Sequence, residues 1–294
     1  MNSFLQALAS GTLTGLLYGL IALSFVVIYR AARIVNLAQG EVLMVGAFTI
    51  WMMTLAAGLP TLLGSGLALL VAALIGLVIE RLVFRPLIGR PTTTIVLASV
   101  ALIIVLRGAS QMVFGPEARP FPQVLPAGAF KLGPLHLNLA LTIGAVLTLI
   151  VTEALHRFFM NTTAGLRLSA VAEDHMTALS MGISVRRSAA IAWALGALLS
   201  ALAAAIYLSG AALDVSVAGI GLRALPVALL GGMESVRGAT LAGVLVGVGE
   251  SLAATYLDRH TSGTMSQVFP FLVMIALMLI RPQGLFGWKV IERV

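Results

Sequence analysis

The sequence predicts an all-α polytopic membrane protein, and three observations predict it. Hydrophobic residues fill 60% of the 294 positions, charged residues only 10%, and the mean hydropathy is +1.06. Soluble domains carry about 25% charged residues, so this composition cannot cover a water-exposed surface. Several stretches run about 18 residues or more with almost no charge, the length that crosses a roughly 30 Å hydrocarbon core. The apolar residues also come in continuous blocks, whereas a β-barrel needs alternating segments of about ten residues.

The blocks place spans at about 11–29, 41–59, 62–80, 92–110, 137–156, 188–209, 217–234, 238–256 and 265–281. The shortest, 217–234, contains Arg223 and Pro226 and reads as a broken or re-entrant segment, so the expected count is eight or nine. Before the first span, "MNSFLQALASGTLTG" has no positive n-region and no clear cleavage site, which points to a retained span. Within it Gly11, Gly15 and Gly19 fall four apart, and Gly243 and Gly247 repeat the spacing. Such small-xxx-small faces let helix backbones approach closely in lipid, within the bundle or against a second subunit.

The second span starts unusually. "VNLAQGEVLMVGAF" (35–48) puts Asn36, Gln39 and Glu41 where hydrocarbon should begin, just after Arg30 and Arg33. On one reading Asn36 is an N-cap and Glu41 an interfacial residue near the inner boundary, favoured by the helix dipole. On the other, the stretch is a broken, polar helix start beside a central cavity, where irregular backbone is tolerated at membrane depth. Glu250 and Arg107 are also intramembrane; Glu250, near the end of its span, reads as a packing or pairing residue.

Two connections exceed turn length. Residues 111–136 carry five prolines and predict an irregular outer loop. Residues 157–187 are rich in helix formers from 166 to 181 and predict one intracellular helix closed by Gly182 as its C-cap. With the N-terminus outside, Arg30, Arg33, Arg81, Arg85, Arg90, Arg157, Arg167, Arg186, Arg187, Arg237, Arg281, Lys289 and Arg293 fall inside, 13 of 18 basic residues. The positive-inside rule therefore orients the chain N-out and C-in.

Several function classes drop out. The net charge of +7 reflects basic residues beside apolar spans and is no nucleic-acid footprint. Absence of cysteine removes disulfides, thiolate metal sites and Cys nucleophiles. Neither lysine sits in a GxxxxGK[ST] frame, there is no HExxH, and His136, His156, His175 and His260 are scattered. Ser65 in "LLGSG" lacks a complete nucleophile frame. No catalytic or metal site is expected.

The residues then point to a family. "GLLYGLIALSFVVIYRAARIVNLAQGEVLMVGAF" (15–48), "GLRLSAVAEDHMTALSMGISV" (165–185), "LRALPVALLGGMESVRGATLAGVLVGVGES" (222–251) and the terminal "RPQGLFG" (281–287) closely resemble the LivH-type permease subunits of branched-chain amino-acid ABC importers. The resemblance covers nearly the whole chain, and "NLAQGE", Gly231–Gly232 with Gly238, and "PQGLFG" are together specific.

The resemblance implies a single permease domain over 1–294, in the bacterial inner membrane, with no ATPase site of its own. Such a subunit pairs with a LivM-type permease, two cytoplasmic ABC ATPases that bind ATP, and a periplasmic substrate-binding protein. The 166–181 helix is similar to the coupling element of such permeases, with Glu173 or Asp174, Ala178 and Gly182 fitting its pattern. Asn36, Gln39 and Glu41 are expected to line or brace the inner part of the translocation path. Arg223, Pro226, Gly231 and Gly232 form the corresponding segment of the other half of the chain. The default cargo is leucine, isoleucine or valine, with urea or short amides as the alternative. A secondary carrier driven by an ion gradient is the rival mechanism, and Glu41 and Glu250 are the only embedded acids it could use.

Overall fold

The computed structural model describes residues 2–287, so Lys289 and Arg293 lie outside the described residues. Within that range the chain is a helical bundle. Helix α1 (Asn2–Ala32) is followed by α2 (Gln39–Trp51), extended by a π turn, and α3 (Thr61–Ile79), extended by π and 3-10 turns to Leu87. Then come α4 (Thr92–Phe114), α5 (Leu139–Asn161), α6 (Thr163–Glu173), α7 (His175–Ser180), α8 (Val185–Tyr207), α9 (Ala218–Gly231), α10 (Val236–Tyr256) and α11 (Met265–Ile280).

Seven helices among the described residues are long and apolar enough to cross a membrane, and two more, at Val215–Gly231 and Met265–Ile280, are shorter. A helix therefore occupies each of the nine expected places, but the strict span count is seven. Helix α9 falls short because it has 14 residues, about 21 Å at 1.5 Å per residue.

Two inverted units organise the bundle. Each is a long helix, a lead-in without α-helix and a run of shorter helices: α1, 33–38, α2 and α3 in the first, α8, 208–217 (ending in a 3-10 turn at Val215–Val217), α9 and α10 in the second. Helices α1 and α8 run antiparallel at the centre, since Gly196 packs on Ser24 and Ile28 while Tyr207 stacks on Tyr18 at 6.4 Å. Helix α10 then lies on α1, and α3 lies on α8. Helices α2 and α9 meet near their N-terminal ends, where Gly40 is pressed against the Ala218 carbonyl and Gly221.

Glycines permit the closest of these contacts. A Cβ on Gly11 would lie 2.7 Å from the Gly247 carbonyl oxygen, and one on Gly15 2.9 Å from the Val244 Cα. On the α3 side, a Cβ on Gly76 would lie 2.7 Å from Ala197 Cβ. Side chains would force these pairs apart by overpacking.

Two expectations about the connections need correction. The 111–136 stretch is not wholly irregular. It contains β1 (Arg119–Pro120), β2 (Ala129–Leu132) and β3 (Leu135–Asn138). The β2–β3 pair is antiparallel, and β1 pairs with β4 (Ala212–Leu213), tying this loop to the lead-in of α9. The turn between β2 and β3 uses Gly133 at φ +61°, a conformation glycine adopts freely. The 166–181 stretch is two helices, not one. Asp174 leaves helical geometry (φ −151°, ψ 112°), and its carboxylate accepts the Met176 amide at 2.8 Å and the Thr177 hydroxyl at 2.7 Å. A short acidic side chain that caps so well competes with continuing the preceding helix. Gly182 does close the second piece, at φ +76°, with the Ile183 amide donating back to the Ala178 carbonyl at 2.9 Å.

Candidate functional site

The lead-in of α2 starts where α1 ends. Arg33 takes a left-handed conformation (φ 54°), its amide donating to the Tyr29 carbonyl at 2.8 Å. Its guanidinium donates to the Ala172 carbonyl at 3.0 Å and pairs with Glu234. Arg30 donates to Ser169 and to the Glu234 carbonyl, both at 3.3 Å. These two arginines fasten α6 and the α9–α10 turn to the end of α1.

From there six residues rise into the bundle and deliver a buried amide cluster. Asn36 and Gln39 are 1% and 0% exposed. The Asn36 carboxamide accepts the Ala38 amide at 3.1 Å and donates to Gln39 Oε1 at 2.8 Å. Gln39 in turn donates to Ser200 Oγ at 2.7 Å and to the Gly196 carbonyl at 3.2 Å. Asn36 is thus not the N-cap of α2; Ala38 holds that place, and Asn36 turns the chain just before it.

Depth follows from the partners. At about 1.5 Å per residue, Gly196 and Ser200 lie roughly 17 and 23 Å from the start of α8. Glu41, one turn above Asn36, is 4% exposed and pairs with Arg107 at 2.5 Å. Arg107 lies roughly 23 Å from the start of α4 by the same measure. Glu41 is therefore mid-bundle and not at the inner boundary. The cause is the lead-in 33–38, which carries the chain up from the end of α1 before the turn at residues 37–38 starts the helix.

The second unit supplies a matching pair. Arg223 of α9 stands 3.8 Å from Glu250 of α10, and the Tyr18 hydroxyl donates to the same carboxylate oxygen at 3.2 Å. Glu41 Oε2 and Glu250 Oε2 are both buried and have no hydrogen-bond partner. Each mid-depth acid is therefore half-satisfied.

The remaining predicted residues sit elsewhere. Pro226 is buried inside α9 and leaves the Leu222 carbonyl without its usual helical donor. Gly231 and Gly232 lie at the far end of α9, roughly 15 Å from Gly221. Gly232 takes φ +83°, and a Cβ there would lie 2.5 Å from the Gly287 amide. The Leu285 amide donates to the Leu230 carbonyl at 2.8 Å, so "PQGLFG" folds back to finish α9. In the α6–α7 loop Glu173 and Asp174 are exposed, whereas Ala178 is 2% exposed and packs with Val171 and Val185.

Sequence reasoning singled out Asn36, Gln39, Glu41 and Arg107 without pairing them. Ser200 carried one weak signal, a lone hydroxyl in the run "GALLSALAAA". Tyr18, Tyr207 and Glu234 carried none.

The family described as "Branched-chain amino acid transport system / permease component" matches residues 7–278. The chain belongs to that family. The permease BraD of Pseudomonas aeruginosa, named for high-affinity branched-chain amino acid transport, is 30% identical over 309 residues, covering 99% of this chain and 98% of its own. LivH of Escherichia coli strain K12 is 27% identical over 307 residues, with the same coverage. A probable LivH permease of Methanocaldococcus jannaschii is 25% identical over 294 residues, covering 94% and 90%. Among solved structures, PsaBC from Streptococcus pneumoniae in complex with a Fab aligns at a TM-score of 0.49 and 15% identity, over 95% of this chain and 93% of that one. As a branched-chain permease of the family, the chain is a multi-pass membrane protein.

Proposed function

We propose that this chain forms half of the translocation path of an ATP-driven ABC importer for branched-chain amino acids. The observation that carries the reading is the meeting of the N-terminal ends of α2 and α9 within the bundle, between inverted units. Discontinuous helices at the midplane are where membrane transporters place their pathways. Family membership supplies the cargo and the coupling to ATP.

In this reading the chain sits N-out in a bacterial inner membrane and pairs with a LivM-type permease. Two cytoplasmic ATPases bind the ATP, since this chain has no phosphate loop, and a periplasmic binding protein delivers the substrate. Helices α6 and α7 dock on an ATPase, with Glu173, Asp174, Ala178 and Gly182 shaping the contact. Arg30 and Arg33 pass its movement to α1 and to the lead-in of α2, because they bridge α6 to both. Asn36 and Gln39 are too buried to line an open path in this conformation, so their part is to brace α2 against α8. Arg223 and Arg107, 37% and 49% exposed, are the path-facing candidates.

An ion-gradient carrier needs an embedded acid free to take up a proton or sodium. Glu41 and Glu250 are each held by an arginine, which favours the ATP-driven reading. Urea or a short amide in place of leucine would leave the same architecture, and the binding protein decides between them.

The test is purification of the chain from mildly solubilised native membranes, with identification of everything that comes with it. Recovery of a second permease and an ATPase, with ATP-dependent leucine uptake after reconstitution, is the expected result. Recovery of the chain alone, with uptake that survives ATP depletion but collapses with the ion gradient, would overturn it.

A further inference from the structure

Beneath the raised start of α2 the bundle is not filled. A cavity of about 250 Å³ lies beside residues 31–35, between the end of α3, the start of α4 and the start of α8. Its wall is apolar: Phe84 stacks on Trp193 at 4.2 Å, with Ile34 and Ile95 alongside. Trp193 is 1% exposed, and its indole N–H has no acceptor.

The mouth of the cavity is basic. Arg90 and Thr92 line it. Helix α4 begins at Thr92 behind Pro91, with no side-chain cap, so the start of a 23-residue helix is open to an anion. Arg90 makes no ion pair among the described residues, unlike Arg33 and Arg85. Glu80 also lines the cavity, but Arg85 neutralises it through two bonds, at 2.8 and 3.1 Å. Arg33 lines it too, and is paired with Glu234. Both flanking helices turn exposed apolar side chains outward, Val78 and Leu82 on α3, Leu97 and Val100 on α4. The crevice thus opens between faces fit for hydrocarbon.

From this we infer that the cavity binds an anionic phospholipid of the surrounding leaflet. The phosphate sits at the start of α4 with Arg90 and Thr92, and part of an acyl chain lies against Phe84, Ile95 and Trp193. An unpaired cation beside an uncapped helix start selects a phosphate, and the apolar wall selects one that carries a chain. The site lies against residues 31–35 and so supports the lead-in 33–38 from below. This inference does not depend on the transport reading.

The experiment uses the full chain in nanodiscs of phosphatidylcholine, with or without phosphatidylglycerol, and counts retained lipid by native mass spectrometry. Selective retention of phosphatidylglycerol is expected, falling roughly tenfold in Arg90→Glu and little in Arg90→Lys. Arg259→Glu makes the same change of net charge at the opposite end of the bundle and leaves retention unchanged. In a variant keeping only Trp193 (Trp51→Phe, Trp288→Phe), phosphatidylglycerol with brominated acyl chains quenches the fluorescence. Equal retention of both lipids, or wild-type retention by Arg90→Glu, would overturn the proposal. So would loss of the retained phosphatidylglycerol in millimolar inorganic phosphate, which would mark a bare anion site.

Discussion

Gln39 holds more of the candidate site together than any other side chain. Both its amide hydrogens and its carbonyl are used, on Ser200, Gly196 and Asn36, and all of it is buried. Gln39→Ala strands those partners without water, at about 1–3 kcal/mol. A thermal-stability assay in detergent should show the drop, while Gln39→Glu, which keeps the shape but loses donors, should fall in between. The Glu41–Arg107 pair behaves differently. Arg107→Ala leaves a buried carboxylate alone, which costs up to about 3–5 kcal/mol where both partners are buried and less here because Arg107 is 49% exposed. The double variant Arg107→Ala with Glu41→Gln should recover much of that loss, and failure to recover would show that the pair is not coupled. That these positions matter was legible in the sequence, since amides and an acid interrupt an apolar run. Their pairing was not, because Ser200 and Arg107 lie more than 60 positions away and only the packing of α2 brings them close. Glu41 was placed too near the boundary because a lead-in that climbs through the bundle leaves no trace in hydropathy.

At the scale of elements, the α6–α7 loop shows what local chemistry decides. Helix-forming composition runs unbroken from 166 to 181, and the cap formed by Asp174 still divides it. Asp174→Ala removes that cap, at about 1 kcal/mol, and should let the two pieces merge toward one helix. Gly182 is different again: nothing lies within 4 Å of where its Cβ would be, so only its left-handed backbone resists substitution. Gly182→Val should therefore cost roughly 1–3 kcal/mol locally and lower binding-protein-stimulated ATP hydrolysis in the assembled transporter, with the chain still inserted. Unchanged stimulation would separate α7 from coupling. The short length of α9 was foreshadowed by Arg223 and Pro226. The β2–β3 hairpin was not, because five prolines across 111–136 argue for irregular chain, yet they leave 129–132 and 135–138 free to pair.

For the whole molecule, the inverted units make the α1–α10 seam a single interlocked contact. Gly15→Leu should separate α1 from α10 and destabilise by about 1–3 kcal/mol or prevent insertion, read as loss of the folded monomer in size-exclusion chromatography. Orientation can be tested cleanly, because the chain has no cysteine. Gly133→Cys, in the β2–β3 turn, should react with an impermeant maleimide added outside the cell. Ser180→Cys, exposed in α7, should react only after the membrane is opened; the reverse pattern would turn the molecule over. The bundle class and the place of each apolar helix followed from hydropathy alone. The inversion did not, since the two units share a backbone plan and almost no residues.

The return of residues 284–285 to α9 has a consequence for how the protein is made. The last carbonyls of α9 find their partner, and Gly284 its seat, some 50 positions later in the chain. At about 5–20 residues per second, α9 waits several seconds after its own synthesis before its lower end can close. A helix of the candidate site is thus among the last to be finished. Nascent chains halted before Gln283 should leave the Leu229–Gly232 region open to protease, and chains released past Gly287 should protect it.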